Sequence, residues 1–572
     1  MNRSERESLI AVARGDQLAD VVLRGGKILN VFTGETTVAD IAICEGMIAG
    51  IGGYDGETVI DLGGQFVLPG FVDAHVHIES AMVTPPEYAR AVVPRGTSAV
   101  VADPHEIANV LGVPGVEFML RTSRNLPLDV HIMASPCVPA THMETSGAVL
   151  SPQDVQRLLK TDGVLGLAEV MNFPGVIDGA PDMMAKLQIA EGRVRDGHAP
   201  GVTGRALQAY LAAGIGSDHE CTTADEALEK VRAGAYVMIR EGTAAKNLEA
   251  LAVAVSAENH HRFLFCTDDR HPADLLEEGH IDFLVCRAIQ LGIKPLHAIR
   301  MATINAAQYF GLERMGAVSP GRFADLITCD SLDAPQIHQV FRRGTLVAEN
   351  GKLLVDLPRP DSSALPSDFA VPALNADLFS VPAKAGKIRV IEACDGQIIT
   401  GTQRLEPTLA DACAIADSAR DLAKLAVIER HHGSEAVGLG FVTGLRLAEG
   451  ALASSVAHDS HNLVVAGMND QDMALAAERV AALGGGLVAV RDGEVLAELA
   501  LPIAGLMSDL PLPVVRDQVA HLKAVSRELG STTADPYMLL SFLALPVIPE
   551  LKLTDQGLVD VDAFEIVPLF SS

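Results

Sequence analysis

The chain has 572 residues, of which 48% are hydrophobic and 20% are charged, a composition typical of folded globular proteins. This length exceeds what one hydrophobic core supports, so we expect roughly two to four domains. A formal net charge of −29 argues against nucleic-acid partners and against anionic membrane surfaces, because both select basic patches.

No apolar run is long enough to cross a bilayer, and the first residues lack the apolar stretch of a signal peptide. The eight cysteines are scattered singly, without a CxxC pair. This pattern favours reduced thiols over disulfides or a thiolate zinc site. Together these features predict a cytoplasmic protein that does not contact a membrane.

Residues 20–61 contain short β-type runs separated by turns, which predict a small β-sandwich or β-roll. From Phe66 onward, apolar β-type runs alternate with stretches of helical period. These runs are FVDAHVH, TSAVVADPH, VHIMASPC, VLGLAEV, RVRDGHA, GIGSDHE, AYVMIREG and RFLFCTDD. Their number and spacing predict a (β/α)8 TIM barrel over residues 69–315.

Strand-and-turn character returns after the barrel, so we expect residues 1–68 and 316–365 to form one composite β-sandwich that contains the barrel as an insertion. A linker rich in proline, serine and aspartate follows at 356–378. Residues 380–572 again alternate strand-like and helical segments and predict a separate C-terminal α/β domain. The predicted fold class is therefore α/β.

Polar side chains follow nearly every predicted barrel strand, at the end where TIM-barrel enzymes place their catalytic groups. In strand order they are His75 and His77; Asp103, His105 and Glu106; Glu169; His198; Asp218 and His219; Arg240 and Glu241; and Asp268 and Asp269. A single group of this kind is usually a satisfied core or loop residue. Four imidazoles and at least two carboxylates at one barrel mouth are costly to bury unpaired, and a pair of divalent metal ions removes that cost.

Imidazole and carboxylate ligands without thiolates suit Mn²⁺, Fe²⁺ or Zn²⁺. Two such ions lower the pKa of a bridging water and provide a nucleophile at neutral pH without a serine or cysteine. The sequence contains neither GxSxG nor a Walker loop, which weighs against covalent serine chemistry and phosphoryl transfer. We expect the adjacent Arg240 and Glu241 to form an internal ion pair.

Several long motifs resemble the amidohydrolase superfamily and, within it, the bacterial adenine deaminases. They are PGFVDAHVHIES, VVADPHEIANVLG, GLAEVMNFPGV, GSDHECTT, CTDDRHPADLLEEGHID and SPGRFADLI, followed by GALASSVAHDSHNLVVAGMND and LPIAGLMSDLP in the C-terminal domain. The resemblance covers essentially the whole chain. It implies hydrolytic deamination of adenine to hypoxanthine and ammonia, a purine-salvage reaction, by a hydroxide that bridges two divalent metal ions, with Mn²⁺ the expected metal.

The resemblance also implies roles for individual residues. The implied metal ligands are His75, His77, Glu169, His198, His219 and Asp268. Glu169 would bridge the two metals, and Asp268 would also shuttle protons. The expected catalytic residues are Asp268, Glu106 and His219. Asp103, His105 and Glu106 form a second polar set that would either hold an additional metal or face the purine substrate.

Some alternatives stay open at this point. The same metal site would serve the cleavage of a cyclic or acyl amide, as in a hydantoinase or deacetylase, or would belong to a metal-binding relative without turnover. His458, Asp459 and His461 in the C-terminal domain either line the active site or satisfy a strand–helix junction. The expected partners are a small purine base and a second copy of the chain in a homodimer.

Overall fold

A computed structural model describes residues 3–362, 365 and 369–571 of the chain. Part of the predicted linker at 356–378 therefore lies outside the described residues. The described part of that linker contains no helix or strand before the 3₁₀ turn Ala376–Phe379.

One nine-stranded sheet contains strands from both sides of the barrel. Its strands are Ala19–Leu29, Thr36–Cys44, Met47–Gly52, Gly56–Asp61, Phe66–Pro69, Leu326–Cys329, Ile337–Arg342, Thr345–Glu349 and Lys352–Leu353. Phe66–Pro69 runs antiparallel to Leu326–Cys329, with Leu68 opposite Ile327. This pairing joins the chain that enters the barrel to the chain that leaves it.

Eight parallel strands follow one another around the barrel. They are Phe71–Val76, Thr97–Ala102, Asp129–Ala134, Val164–Val170, Val194–Gly197, Ser217–Asp218, Tyr236–Arg240 and Phe263–Cys266. Backbone hydrogen bonds close the ring, because Gly216 N donates to Arg195 O over 2.9 Å and Asp268 N donates to His75 O over 3.0 Å. The predicted α/β class with a TIM barrel is confirmed.

Short helices surround these strands. They are Pro85–Val92, His105–Leu111, Val113–Thr122, Pro152–Leu159, Phe173–Ile177, Pro181–Ile189, Gly204–Ala212, Ala224–Arg232, Leu248–Ala252, Pro272–Glu277, Ile281–Gln290, Pro295–Met301 and Ile304–Tyr309, and a further helix, Arg3–Ala13, precedes the first sheet. Pro152–Leu159 illustrates why they form: Ser151 and Asp154 make a reciprocal capping box, and Val155 and Leu158 are buried against the barrel.

The C-terminal domain is built on a second nine-stranded sheet. Its strands are Lys387–Ala393, Thr400–Leu405, Ala423–Ile428, Val437–Thr443, Ala451–Ser454, Leu463–Gly467, Gly486–Arg491, Glu494–Ala500 and Phe570–Ser571. Two three-stranded sheets (Val381–Pro382, Thr408–Ala410 and Cys413–Ile415; Leu551–Thr554, Gly557–Asp560 and Glu565–Val567) and the helices Asp470–Ala482, Leu512–Glu528 and Pro536–Leu543 complete it.

The C-terminal domain lies against the barrel at several points. Helix Leu512–Glu528 contacts the barrel helices Pro85–Val92 and Pro272–Glu277. Ser508 N donates a hydrogen bond to Met82 O over 2.8 Å, close to the end of the first barrel strand. Within the described part of the chain, no helix is both long and apolar enough to span a bilayer.

The pairing of the two flanking segments gives a stability prediction. Leu326 is 0% exposed and packs among the side chains of the first sheet, so Leu326→Ala should lower the free energy of unfolding by about 2–5 kcal/mol. Val38→Ala in the same sheet is the control, since Val38 is 69% exposed and its loss should cost less than about 0.5 kcal/mol. Urea denaturation curves measure both, and equal midpoints for the two variants would contradict the assignment of Leu326 to this core.

Candidate metal centre

The six side chains that the sequence predicts as metal ligands lie together at the carboxyl ends of five barrel strands. They are His75, His77, Glu169, His198, His219 and Asp268; His198 is partly buried and each of the others is at most 6% exposed. Parallel strands bring their carboxyl ends to one rim, which is why residues far apart in the sequence meet here.

A first group of donor atoms forms around the two histidines of the first strand. The Nε2 atoms of His75 and His77 lie 3.1 Å apart. Asp268 Oδ1 lies 3.4 and 3.2 Å from these two nitrogens, and Glu169 Oε1 lies 3.8 and 3.3 Å from them. Residues two apart on a strand point to the same side, so the strand itself converges the two imidazoles.

A second group forms around the other oxygen of Glu169. Glu169 Oε2 lies 2.5 Å from His198 Nδ1 and 3.2 Å from His219 Nε2. The two oxygens of one carboxylate therefore face different sets of histidines. This is the arrangement that a carboxylate bridging two metal ions requires.

The donor set fits divalent metal ions. Nitrogen and oxygen ligands about 2.0–2.2 Å from one ion lie about 3–4 Å from each other, which matches the separations in the first group. His77 Nδ1 lies 2.9 Å from Asp103 O, so this nitrogen carries the proton and donates it, and the Nε2 lone pair is left for a metal. The donor separations and the protonation of His77 therefore suit a divalent metal ion bound by nitrogen and oxygen atoms.

The electrostatics of the site keep its carboxylates ionised. Burial raises the pKa of Glu169, but the charge of His198 and hydrogen bonds from neighbouring imidazoles outweigh it and hold this pKa well below its usual range. Burial lowers the pKa of His219, but hydrogen bonding to Glu169 outweighs it and raises this pKa to about 9. Protons therefore compete with metal ions for this imidazole.

Arg240 forms ion pairs with partners that the sequence did not predict. It pairs with Glu220 and Asp268 rather than with Glu241: its Nη2 lies 3.1 Å from Glu220 Oε2 and its Nη1 lies 3.1 Å from Asp268 Oδ2. Glu241 instead accepts a hydrogen bond from Leu248 N over 3.0 Å. The expected internal ion pair between Arg240 and Glu241 is wrong because the two side chains, adjacent on a strand, point to opposite faces.

Asp103 and His105 from the second predicted polar set lie beside Glu169. His105 Nδ1 is 3.3 Å from Asp103 Oδ2 and 3.3 Å from Glu169 Oε1. Both side chains are buried, at 1% and 4% exposure. They connect the second barrel strand to the six residues described above.

Glu106 faces the C-terminal domain. Its Oε1 lies 2.6 Å from His458 Nδ1, and its Oε2 contacts His461 Nε2. Of the two alternatives for the segment that contains His458, Asp459 and His461, these contacts place it at the barrel mouth. The signal in the sequence was the pair of histidines in AHDSHN, but the pattern alone does not identify their partner.

His280, which the sequence predicts to be a surface residue or a residue that supports the site from outside, is a buried supporting residue. It is 0% exposed, and its Nε2 lies 2.9 Å from Asp73 Oδ2 on the first barrel strand. Asp73 Oδ1 in turn accepts hydrogen bonds from His75 N over 3.3 Å and Thr267 N over 3.1 Å. This buried network supports the backbone on which His75 and Asp268 stand.

A cavity lies between the barrel mouth and the C-terminal domain. The side chains that line it include the polar Glu79 and His458 and the apolar Met82, Val456, Leu487 and Met538. Both domains contribute to its wall, and His458 connects it to Glu106.

The TIM barrel with a mouth of histidines and carboxylates defines a hydrolase of the amidohydrolase class, and the family model described as "Amidohydrolase family" matches residues 66–347. A second model, described as "Adenine deaminase C-terminal domain", matches residues 397–565. The adenine deaminase of Desulfatibacillum aliphaticivorans is 48% identical over 570 residues, which cover 99% of both chains. The chain therefore belongs to the adenine deaminase family.

A second adenine deaminase is similar to the same extent. Adenine deaminase 2 of Carboxydothermus hydrogenoformans is 48% identical over 564 residues, covering 98% of this chain and 99% of the relative. Among solved structures, the dihydropyrimidinase of Brevibacillus agri is 15% identical, with a TM-score of 0.45 over 58% of this chain and 96% of the other.

The position of Glu169 between the two histidine groups gives a prediction about metal content. Glu169→Gln removes the charge that both groups share, so the variant should lose at least about one metal equivalent per chain. Inductively coupled plasma mass spectrometry (ICP-MS) on protein loaded with Mn²⁺ and then desalted measures this loss. Glu191→Gln is the control, because the Glu191 side chain is 78% exposed, and unchanged metal content in Glu169→Gln would exclude a bridging role.

Proposed function

We propose that the protein is an adenine deaminase, which hydrolyses adenine to hypoxanthine and ammonia. The observation that carries this proposal is the similarity to adenine deaminases along the full chain, at 48% identity over 570 residues. That similarity includes the C-terminal domain at 397–565 as well as the barrel, whereas the amidohydrolase match at 66–347 is common to many hydrolases.

The six converging residues would hold two divalent metal ions, which we take to be Mn²⁺. His75, His77 and Asp268 would bind the first ion, and His198 and His219 the second. Glu169 would contribute one oxygen to each. When bound, a metal pair of this kind lowers the pKa of water and supplies a nucleophile at neutral pH.

Asp268 is the residue that we assign to proton transfer. Burial raises its pKa, but hydrogen bonds to His75 and His77 and the charge of Arg240 outweigh it and hold the pKa well below its usual range. The carboxylate is therefore ionised and able to accept a proton at neutral pH. Its φ of 55°, a left-handed conformation that is uncommon outside glycine, places the side chain at the mouth, beside both histidines of the first strand.

The proposed reaction adds one water across the C6–N1 bond of adenine. Asp268 takes a proton from the attacking water and delivers it to ring N1, and then transfers the remaining proton of the new C6 hydroxyl to the amino group. The bond between C6 and the amino nitrogen breaks and ammonia leaves. The deprotonated oxygen at C6 becomes the carbonyl of hypoxanthine, and N1 keeps its proton, which gives the lactam. Both oxygens of Glu106, the other expected catalytic carboxylate, lie against imidazoles of the C-terminal domain, so we assign the protonation of N1 to Asp268.

A neutral purine base matches the surroundings of the site. The chain carries a net charge of −29, which opposes capture of a nucleotide phosphate. We therefore propose the free base, and not a nucleotide, as the substrate.

We further propose that the protein acts in the cytoplasm as a homodimer. The eight cysteines are free thiols, as expected in a reducing compartment.

Multi-angle light scattering of the full chain measures the assembly directly, and a molar mass equal to the 60.2 kDa of one chain would contradict the dimer.

Ammonia release tests the proposed reaction. Protein loaded with Mn²⁺ should release ammonia from adenine and form hypoxanthine, with much lower rates on adenosine and guanine. Asp268→Asn should lower kcat by about 10²- to 10⁴-fold, the usual contribution of general acid–base catalysis. Metal content should be measured in parallel, because Asp268 is also a proposed ligand.

Asp269→Asn is the matched control for this variant. Asp269 is the adjacent carboxylate, and it accepts a hydrogen bond from Ser80 rather than contacting the histidines of the first strand. Its loss should reduce kcat much less than the loss of Asp268. Metal-loaded protein that releases no ammonia from adenine would overturn the proposed function.

A further inference from the structure

Four further metal-competent side chains meet where the barrel contacts the C-terminal domain. His105 and Glu106 come from the barrel, and His458 and Asp459 come from the C-terminal domain. We propose that these four residues bind a third divalent metal ion, separate from the pair at Glu169, which joins the two domains at the barrel mouth.

The spacing of the four donor atoms suits one metal ion. His105 Nε2 lies 3.6 Å from Glu106 Oε1 and 3.8 Å from Asp459 Oδ1. His458 Nδ1 lies 2.6 Å from Glu106 Oε1 and 3.9 Å from Asp459 Oδ1. Two of these separations, 3.6 and 3.8 Å, lie within the range of 3.1 to 3.8 Å found around His75 and His77, the separation of 3.9 Å lies just beyond it, and the 2.6 Å contact is shorter.

Direct hydrogen bonds within the described part of the chain leave one oxygen of each of the two carboxylates without a partner. Glu106 is 1% exposed and Asp459 is 4% exposed. Within the described residues, Glu106 Oε1 and Asp459 Oδ2 have no partner with hydrogen-bond geometry. The imidazole nitrogens nearest Asp459 Oδ1, at 3.8 and 3.9 Å, are beyond hydrogen-bond distance. Buried carboxylates are costly unless a positive charge compensates them, and a divalent cation at the centre of the four donors does so.

Neighbouring groups orient the ligands toward that centre. His105 Nδ1 lies 3.3 Å from Asp103 Oδ2, so this nitrogen carries the proton and Nε2 keeps a lone pair for the metal. Ala457 N donates to His461 Nδ1 over 3.2 Å, so His461 carries its proton on Nε2 and donates it to Glu106 Oε2. Metal-binding imidazoles and carboxylates are typically held by such an outer layer of hydrogen bonds.

The composition of the site indicates its metal and its role. Two imidazoles and two carboxylates, without a thiolate, suit Mn²⁺, Fe²⁺ or Zn²⁺. Four protein ligands fill a tetrahedral shell, which is the pattern of structural rather than catalytic metals. This assignment selects the metal-binding alternative for Glu106 and explains why the segment with His458 and Asp459 reaches the barrel. It holds for any substrate of the neighbouring site.

Metal stoichiometry of the full chain tests the third site. ICP-MS on protein loaded with Mn²⁺ and desalted should find about three equivalents per chain, and Asp459→Asn should retain about one equivalent fewer. Asp472→Asn is the matched control, since Asp472 is also a buried aspartate of the C-terminal domain, at 2% exposure, and lies outside the cluster. The control should keep the full metal content.

The outcomes separate clearly. Loss of one equivalent in Asp459→Asn, with the control unchanged, supports the third site. Equal metal content in Asp459→Asn and the unsubstituted protein overturns it. If Asp459→Asn does not fold, the unsubstituted protein decides the question, because a total of about two equivalents overturns the proposal. The metal count does not depend on ammonia release, so a failure of the proposed deaminase activity leaves this test valid.

Discussion

The buried carboxylate of Glu169 is the group on which the barrel mouth depends. It is 2% exposed, and imidazoles from the first, second, fifth and sixth barrel strands lie within 4 Å of its two oxygens. A carboxylate in this position is unfavourable without positive charge around it, and several imidazoles in contact are unfavourable without negative charge between them. The carboxylate of Glu169 and the imidazoles around it therefore stabilise each other. These contacts exist only because the barrel strands end at a common rim. The fold therefore determines the chemistry of the site.

Contacts around the barrel mouth hold the residues of the site in position. The backbone of Asp268 is hydrogen-bonded to that of His75, so the eighth strand closes on the first at the point where both contribute a ligand. Below them, Asp73 and His280 form a buried pair that orders the same backbone. Above them, the C-terminal domain covers the mouth through Glu106 and His461. The site is therefore restrained from three directions, which is what precise placement of catalytic groups requires.

Sequence patterns predict the parts of this structure that depend on local periodicity. His75 and His77 alternate on a strand, and the eight β-type runs coincide with the eight barrel strands, so the rim and most of its residues follow from the sequence. Contacts between distant segments do not follow in the same way. Glu106 and His461 are 355 residues apart, and Arg240 selects Glu220 over its neighbour Glu241 because side-chain direction, rather than proximity in the chain, decides the pairing.

The C-terminal domain has an energetic consequence for the metal sites if it contributes ligands. A metal ion that binds the closed arrangement of the two domains more tightly than an open one stabilises the closed arrangement by the difference between its two binding free energies. The cavity lies between the same two surfaces, with Glu79 on the barrel side and His458 on the other. Closure of the domains, exclusion of water from the cavity and occupation of the metal cluster at Glu106 would then be one coupled equilibrium. Such coupling gives a reason for a barrel with its own complete rim of ligands to carry a second domain at its mouth.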